Sequence, residues 1–275
     1  MSAQPARQMP AEHLLHGGTA NRGLVVRVGD TVRRPLRDTS EATHALLEHL
    51  AAVGFDGAPR FLGVDGEGRE VLSYVAGEAV TPPYPGWALT DEALRSVADL
   101  LRRYHAAVAD FDPSPYTWPA SPPPPFDDEL VSHNDPNLDN VVFRDRRAVA
   151  LIDFDLASPG SRLWDVAATG RLWSPLRSDE DVVDVWRGHT LRRLRVFLNA
   201  YGGDFEPDAL VDAIRRNHDW LYSVVLAGAE QGHPGFADYW QQAASRVGRT
   251  RAWLAANEQV LVEAVARDGR SAGPP

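Results

Sequence analysis

The run His133-Asn134-Asp135-Pro136-Asn137-Leu138-Asp139-Asn140, followed by Ile152-Asp153-Phe154-Asp155, sets out the groups that phosphoryl transfer requires. Asp135, in a short loop, is a carboxylate able to take a proton from an alcohol. Asn140 and Asp153 offer hard oxygen atoms to magnesium, which takes one or two protein ligands and fills its other positions with water and phosphate. Their neighbours decide whether these groups can converge. Leu130–Ser132 and residues 141–143 and 148–152 are short apolar runs that read as strands, with the polar residues 144–147 as the turn between the last two. A hairpin of those two strands sets Asn140, at the start of one, beside Asp153, just past the end of the other. Asp135 then projects toward the substrate side. Asn, Asp and Pro are also turn formers, so the loop by itself is compatible with a plain turn; the flanking strands and the second acidic box favour a site. His133 reads as a residue that ties the loop to nearby backbone, and Asp155 as a carboxylate that orders it.

The spacing H-x-D-x-x-x-x-N, followed by I-D-F-D, resembles the aminoglycoside phosphotransferase and choline kinase family, the kinase-like small-molecule phosphotransferases. The resemblance implies an α+β, two-lobed, protein-kinase-like fold, with a small antiparallel-sheet N-lobe carrying one helix and a larger, mostly helical C-lobe. In this chain it divides into a tail (1–15), a nucleotide-covering N-lobe (16–75), a hinge (76–82) and a C-lobe (83–275). It also implies transfer of the γ-phosphate of ATP or GTP to a hydroxyl of a small molecule, with Mg2+ as cofactor. Asp135 corresponds to the catalytic base, and Asn140 and Asp153 to the metal ligands. Asp165, at the end of Pro159-Gly160-Ser161-Arg162-Leu163-Trp164-Asp165, corresponds to an aspartate that braces the catalytic loop, with His133 as further support.

The elements expected to carry these residues can be followed along the chain. Gly17 and Gly18 open a region of short strands and are candidates to bring backbone amides to phosphate. A hairpin is expected at residues 24–28 and 31–34 around Gly29-Asp30, and two more strands at 58–64 and 70–75 complete a five-stranded sheet. Between them a helix starts at Thr39 or Ser40, with Leu46, Leu47, Leu50 and Val53 on one face. The chain contains no lysine: all 28 of its lysine-plus-arginine positions are arginine. Kinase-like folds place a lysine on the third N-lobe strand, paired with a glutamate on the helix. Here the position expected for that glutamate falls near Thr43 or His44, with Glu41 the nearest acid. Arg33 or Arg34 is left as the phosphate contact; arginine presents a bidentate fork where lysine is a point charge. This departure motivates a rival reading, a kinase-like nucleotide or small-molecule binding protein that has lost turnover.

From Thr90 the pattern is helical, with Leu94, Val97, Ala98, Leu101, Tyr104 and His105 on one face. The proline-rich run 112–125 cannot be helical, and Asp127, Asp128 and Glu129 follow it as an acidic turn. Helices are expected at 179–201, 207–230 and 236–265, walling the substrate cleft. Asp219, Trp220, Tyr222, Glu230 and Trp240 are candidates for holding a cationic acceptor, aminoglycoside-like or another hydroxylated amine, by charge and cation–π contact. The formal net charge of −10 excludes the basic footprint that nucleic acid demands. There are no cysteines, which removes disulfides and thiolate metal sites. No run is long enough to span a bilayer and the start shows no apolar leader, so no membrane partner is expected and a cytoplasmic location is. A metal-dependent hydrolase is the weaker enzymatic alternative, lacking a histidine pair at helical spacing. Oligomeric state has no signature in the sequence.

Overall fold

The structure, a computed structural model, describes residues 11–15, 23–128 and 130–266. Gly17, Gly18 and Glu129 lie outside the described residues. The expected N-terminal hairpin forms as β2 (Val26–Val28) and β3 (Thr31–Pro35), closed by a hydrogen bond from Thr31 Oγ1 to the Val28 carbonyl (2.8 Å). β4 (Phe61–Val64) and β5 (Arg69–Ser73) join it, and the antiparallel order is β1-β2-β3-β5-β4. The fifth strand, β1, is Glu12–Leu14, from the segment expected to be a tail. Backbone pairing to the open edge of β2, and an ion pair from Arg69 to Glu12 (3.0 Å), hold this short polar segment where its side chains give no apolar signal. α1 (Ser40–Ala52) lays Leu46, Leu47 and Leu50 into the core, whereas Val53 follows the last turn and is 52% exposed.

The large lobe is built on α2 (Asp91–Ala107), which Thr90 caps by accepting a hydrogen bond from the Ala93 N–H (3.3 Å). Its expected face, Leu94 to His105, is buried throughout. β6 (Glu78–Ala79), β8 (Val141–Arg144) and β9 (Arg147–Leu151) form a three-stranded sheet, and β7 (Leu130–Ser132) pairs with β10 (Ser158–Gly160). α3 (Arg162–Trp173), α4 (Thr190–Tyr201), α5 (Pro207–Glu230), α6 (Pro234–Ala256) and α7 (Glu258–Ala266) complete the lobe.

Two helix expectations need correction. Residues 179–189 are not α-helical: they hold two isolated 3-10 turns, and the helix begins at Thr190. Tertiary contacts override local preference there. Asp181 is drawn to Arg249 of α6 (2.6 and 2.9 Å), and Trp186 turns inward to lie under Arg193 (4.4 Å) and donate its Nε1–H to the Leu89 carbonyl (3.1 Å). The C-terminal helix is interrupted at Asn257, whose side-chain amide donates to the Trp253 carbonyl (2.8 Å) in competition with the helical ladder.

The lobes are joined by a segment that the C-lobe claims early. Glu78 pairs with Phe143, and just before it Gly77 has φ +148° and lies so close to the Phe143 carbonyl that a Cβ would overlap it. Gly77→Ala is therefore expected to destabilise the fold by about 1–3 kcal/mol, the usual cost of a disfavoured backbone region held in place. Gly66→Ala, at an ordinary φ with open space around it, should stay within about 1 kcal/mol of wild type. Paired urea titrations check this contrast; equal effects would contradict it.

Candidate active site

The catalytic-loop segment is held from below by one carboxylate. Asp165, in the first turn of α3 and fully buried, accepts hydrogen bonds from the His133 N–H (2.9 Å) and the Asn134 N–H (3.0 Å), and from His105 Nε2 (3.0 Å). Burial opposes ionisation of Asp165, but the His105 hydrogen bond, the histidine charges and the loop amide outweigh it, so its carboxyl lies below the usual range. His105 passes the network on to the Tyr201 hydroxyl (2.8 Å). His133 is buried, its Nε2 is 3.1 Å from the Ile152 carbonyl, and burial lowers its pKa, which keeps the imidazole neutral. Asn134 takes the left-handed conformation (φ 67°) and its amide donates to the Leu156 carbonyl and to Ser158 Oγ, both at 2.8 Å. The loop is thereby fixed on both sides just before Asp135.

Asp135 faces the cleft. Its Oδ1 accepts from Asn137 Nδ2 (2.9 Å) and its Oδ2 from Asn140 Nδ2 (3.0 Å). Because Asn140 commits its amide nitrogen to Asp135, its Oδ1 remains for a cation. The β8–β9 register pairs Val141 with Leu151, and the Ile152 N–H donates to the Asn140 carbonyl (2.9 Å), so Asn140 and Asp153 emerge next to each other. Asp153 sits at φ 62°, ψ 68°, a region that non-glycine residues seldom occupy and that turns its carboxylate toward Asn140 and the cleft. Burial and the neighbouring Asp153 and Asp139 push the Asp135 pKa up to about 7; burial and Asp155 push that of Asp153 up to about 6. Crowded, incompletely neutralised carboxylates next to a free amide oxygen form an all-oxygen donor set that fits magnesium. Asn140 and Asp153 are the residues that would hold it.

The basic residues sort differently from expectation. Arg33 and Arg34 alternate across β3: Arg33 pairs with Asp65 (3.1 Å), away from the cleft, and Arg34 enters it. Arg34 meets Glu70 (2.7 Å), Asp155 (2.8 Å) and Asp153 (3.2 Å). Burial works against its charge, and Asp155, Glu70 and Asp153 outweigh that cost and raise its pKa. The acid partner comes from β5, not from the helix: Glu70 is 2% exposed and also contacts His44 Nε2 (2.9 Å), which occupies the position where a helix glutamate was expected. Glu41 is solvent-exposed. The sequence did carry a signal for Glu70, an acid at the start of a strand otherwise read as apolar. Above Arg34, Val25, Val32, Leu72, Val142 and Ile152 enclose an apolar slot bounded by the Tyr74–Val75 connection and, at its floor, by Asn140 and Asp153.

A second cleft, which shares Asn140 and Asp153 with the slot and is lined by Asp135, is walled by Leu221, Tyr222 and Val225 of α5 and Phe236 and Tyr239 of α6. Three residues proposed to grip a cation are not in it. Asp219 binds Arg251 (2.7 Å); Trp220 donates to the Ser121 carbonyl (2.9 Å) and packs on Trp164; Glu230 is exposed at the end of α5. Helical rotation accounts for this, since the face of α5 turned to the cleft carries residues 221, 222 and 225. Trp240 does not line it either, although its neighbour Tyr239 does.

Residues 115–198, which contain the catalytic loop, the acidic box and Asp165, match the model of the phosphotransferase enzyme family (APH). A choline/ethanolamine kinase family protein from Mesorhizobium loti superposes over 96% of this chain and 96% of its own, with a TM-score of 0.61 at 21% identity. The GDP complex of aminoglycoside 2'-phosphotransferase-IIIa does so over 96% and 95%, with a TM-score of 0.58 at 16% identity. The fold is that of the kinase-like small-molecule phosphotransferases. The chain shares that fold, and its H-x-D-x-x-x-x-N spacing lies inside the segment that the family model matches. In sequence it is also 29% identical, over 94% of its length and the whole of the relative's, to the trifolitoxin immunity protein of Rhizobium leguminosarum bv. trifolii.

The raised Asp135 pKa has a consequence for stability. A folded-state pKa of about 7, against about 3.9 in an unfolded chain, means that the folded protein holds a proton the unfolded one has released, so stability falls as pH rises across that window. Without nucleotide or metal, Asp135→Asn should melt close to wild type near pH 4, about the unfolded value. It should become progressively more stable than wild type up to about pH 7, with a constant gap above. Melting temperatures across pH check this; a gap independent of pH would contradict the assignment of a strained, cleft-facing carboxylate.

Proposed function

We propose that this protein transfers the γ-phosphate of ATP or GTP to a hydroxyl group of a small molecule. The observation that carries the reading is the convergence of Asp135, Asn140 and Asp153 where an apolar slot meets an aromatic-walled cleft: Asn140 and Asp153 line both, and Asp135 lines the second. The nucleotide base occupies the apolar slot and the acceptor the second cleft, which Asp135 lines. Asp135 orients the acceptor hydroxyl and takes its proton. Asp165, through the two loop amides, holds that base in place. Arg34 replaces the absent lysine as the phosphate contact, presented by Glu70. Magnesium, when bound to Asn140 and Asp153, neutralises charge on the phosphates.

Gly17 and Gly18 remain candidates for backbone contacts to phosphate. GDP is bound by one protein of this fold, which supports a nucleotide co-substrate here. The name of the Rhizobium relative links that protein to immunity against a toxin. A phosphotransferase would serve such a role by esterifying a hydroxyl of the toxic molecule, and a hydroxylated toxic compound is accordingly among the acceptors proposed here.

The second reading, a nucleotide-binding protein without turnover, is favoured by one observation: Arg34 ion-pairs with Asp153, the acid that magnesium would need. Kinetics separate the two. Asp135→Ala should lower turnover by about two to four orders of magnitude, the usual worth of a positioned base, with nucleotide affinity little changed. Arg34→Ala should weaken nucleotide binding itself. ADP release and equilibrium nucleotide titration measure both; loss of nucleotide binding with retained turnover in Asp135→Ala would overturn the assignment.

A further inference from the structure

Behind the aromatic wall of the second cleft lies a cluster of unusual charge, which does not itself line the cleft. Behind Tyr222 and Tyr239 stand Arg171 near the end of α3, Arg177 just after it, and Arg246 on α6. Arg171 is 6% exposed and spends two of its donors on one acceptor, Asn217 Oδ1 (3.3 and 3.2 Å). Arg246 donates to the Tyr239 hydroxyl (3.4 Å), and the Tyr222 hydroxyl lies in the electrostatic field of Arg171, Arg246 and Arg177. Arg177 lies within electrostatic reach of Arg246 and Arg171. Three guanidinium groups thus stand near two phenols, with a hydrogen bond between them from Arg246 to Tyr239. Among the described residues none of the three forms an ion pair with a carboxylate. The acids that feel them are Asp135, which neighbours Arg171 and is hydrogen-bonded to asparagines, and Asp181, already held by both forks of Arg249.

Such an arrangement costs desolvation and mutual repulsion that neutral phenols only partly offset. The cost is visible in the groups themselves. Burial and Arg246 lower the pKa of Arg177, while the arginines overcome burial to lower that of Tyr222. Two buried polar atoms on the same stretch of α5, Asn217 Nδ2 and His218 Nε2, have no hydrogen-bond partner, and the His218 ring lies 5.0 Å from that of Tyr222. Arginine forks are the side chains that match a carboxylate or phosphate bidentately.

We infer that the acceptor is an anion, a hydroxylated carboxylic acid whose carboxylate meets the Tyr222 and Tyr239 hydroxyls, in the field of Arg171, Arg177 and Arg246 behind them, while its hydroxyl points to Asp135. This rests on the phosphotransferase reading of the same cleft and replaces the cationic acceptor expected from the sequence. The acids that line the cleft belong to the catalytic and metal-holding groups, and the basic cluster stands behind its aromatic wall.

The test uses the intact protein with a magnesium–nonhydrolysable ATP analogue present, at constant ionic strength, and reads the melting temperature against γ-hydroxybutyrate, uncharged butanediol and cationic choline. γ-Hydroxybutyrate should stabilise the wild type, and butanediol and choline should not. The double variant R177Q/R246Q, built on the two less buried arginines, should weaken the γ-hydroxybutyrate response by about tenfold or more in apparent affinity and keep the nucleotide response. Stabilisation by choline in place of the hydroxy acid overturns the inference, as does a hydroxy-acid response that survives in the variant, or none at all. A variant-sensitive hydroxy-acid response without any nucleotide response leaves the anion seat standing and overturns the phosphotransfer reading instead.

Discussion

Everything that can act in this protein hangs from the carboxylate of Asp165. Fully buried, it takes the N–H groups of His133 and Asn134 and a ring N–H of His105, and thereby joins α2, α3 and the loop that presents Asp135. A buried charge is tolerated only when its lone pairs are filled, so the loop cannot shift without leaving an ion unsatisfied in the core. His105 extends the constraint through Tyr201 to α4. The left-handed turn at Asn134, with its side chain fastened to Leu156 and Ser158, converts that rigidity into a direction for the next residue. The Asp135 carboxylate is aimed into the cleft by the fold itself.

On the other side of the reaction centre the solution is electrostatic. Arg34 sits among three carboxylates, Glu70, Asp153 and Asp155, and each makes the arginine easier to keep charged. In exchange it tempers repulsion among acids that a metal would otherwise have to neutralise alone. A chain without lysine can hold this arrangement because the guanidinium has several donors in one plane: one edge stays on Glu70 while the other meets Asp153 and Asp155. Moving the acid partner from the helix to β5, with His44 between helix and glutamate, suits the longer reach of arginine.

The sequence was most legible where spacing alone determines geometry. Asp135, Asn140 and Asp153 lie within one loop and one hairpin, so strand period and turn length placed them without tertiary information. The N-lobe hairpin and the faces of α1 and α2 were legible for the same reason. Glu70 was not, because its role depends on a β3–β5 pairing between residues 36 positions apart. The choice between Arg33 and Arg34 needed the face of β3 that looks into the cleft. Asp219 and Trp220 failed as substrate contacts because α5 is apolar on more than one side, and only packing fixes its rotation. Residues 179–189 have helical composition, yet the Asp181–Arg249 pair and the inward turn of Trp186 hold them in another path. Glu12–Leu14 carries no strand signal because its pairing is carried by backbone.

The most direct measurement of whether these groups form a working phosphoryl-transfer site is thermal unfolding of the purified protein with ATP or GTP, each with and without magnesium. A ligand that binds only the folded state raises its stability by mass action. Magnesium-dependent stabilisation by at least one nucleotide is the expected result: it requires Arg34 to release Asp153 to the metal and would name the phosphate donor. No shift with either nucleotide, well above concentrations that saturate ordinary kinases, would contradict the account and leave the three acids around Arg34 as a structural clamp.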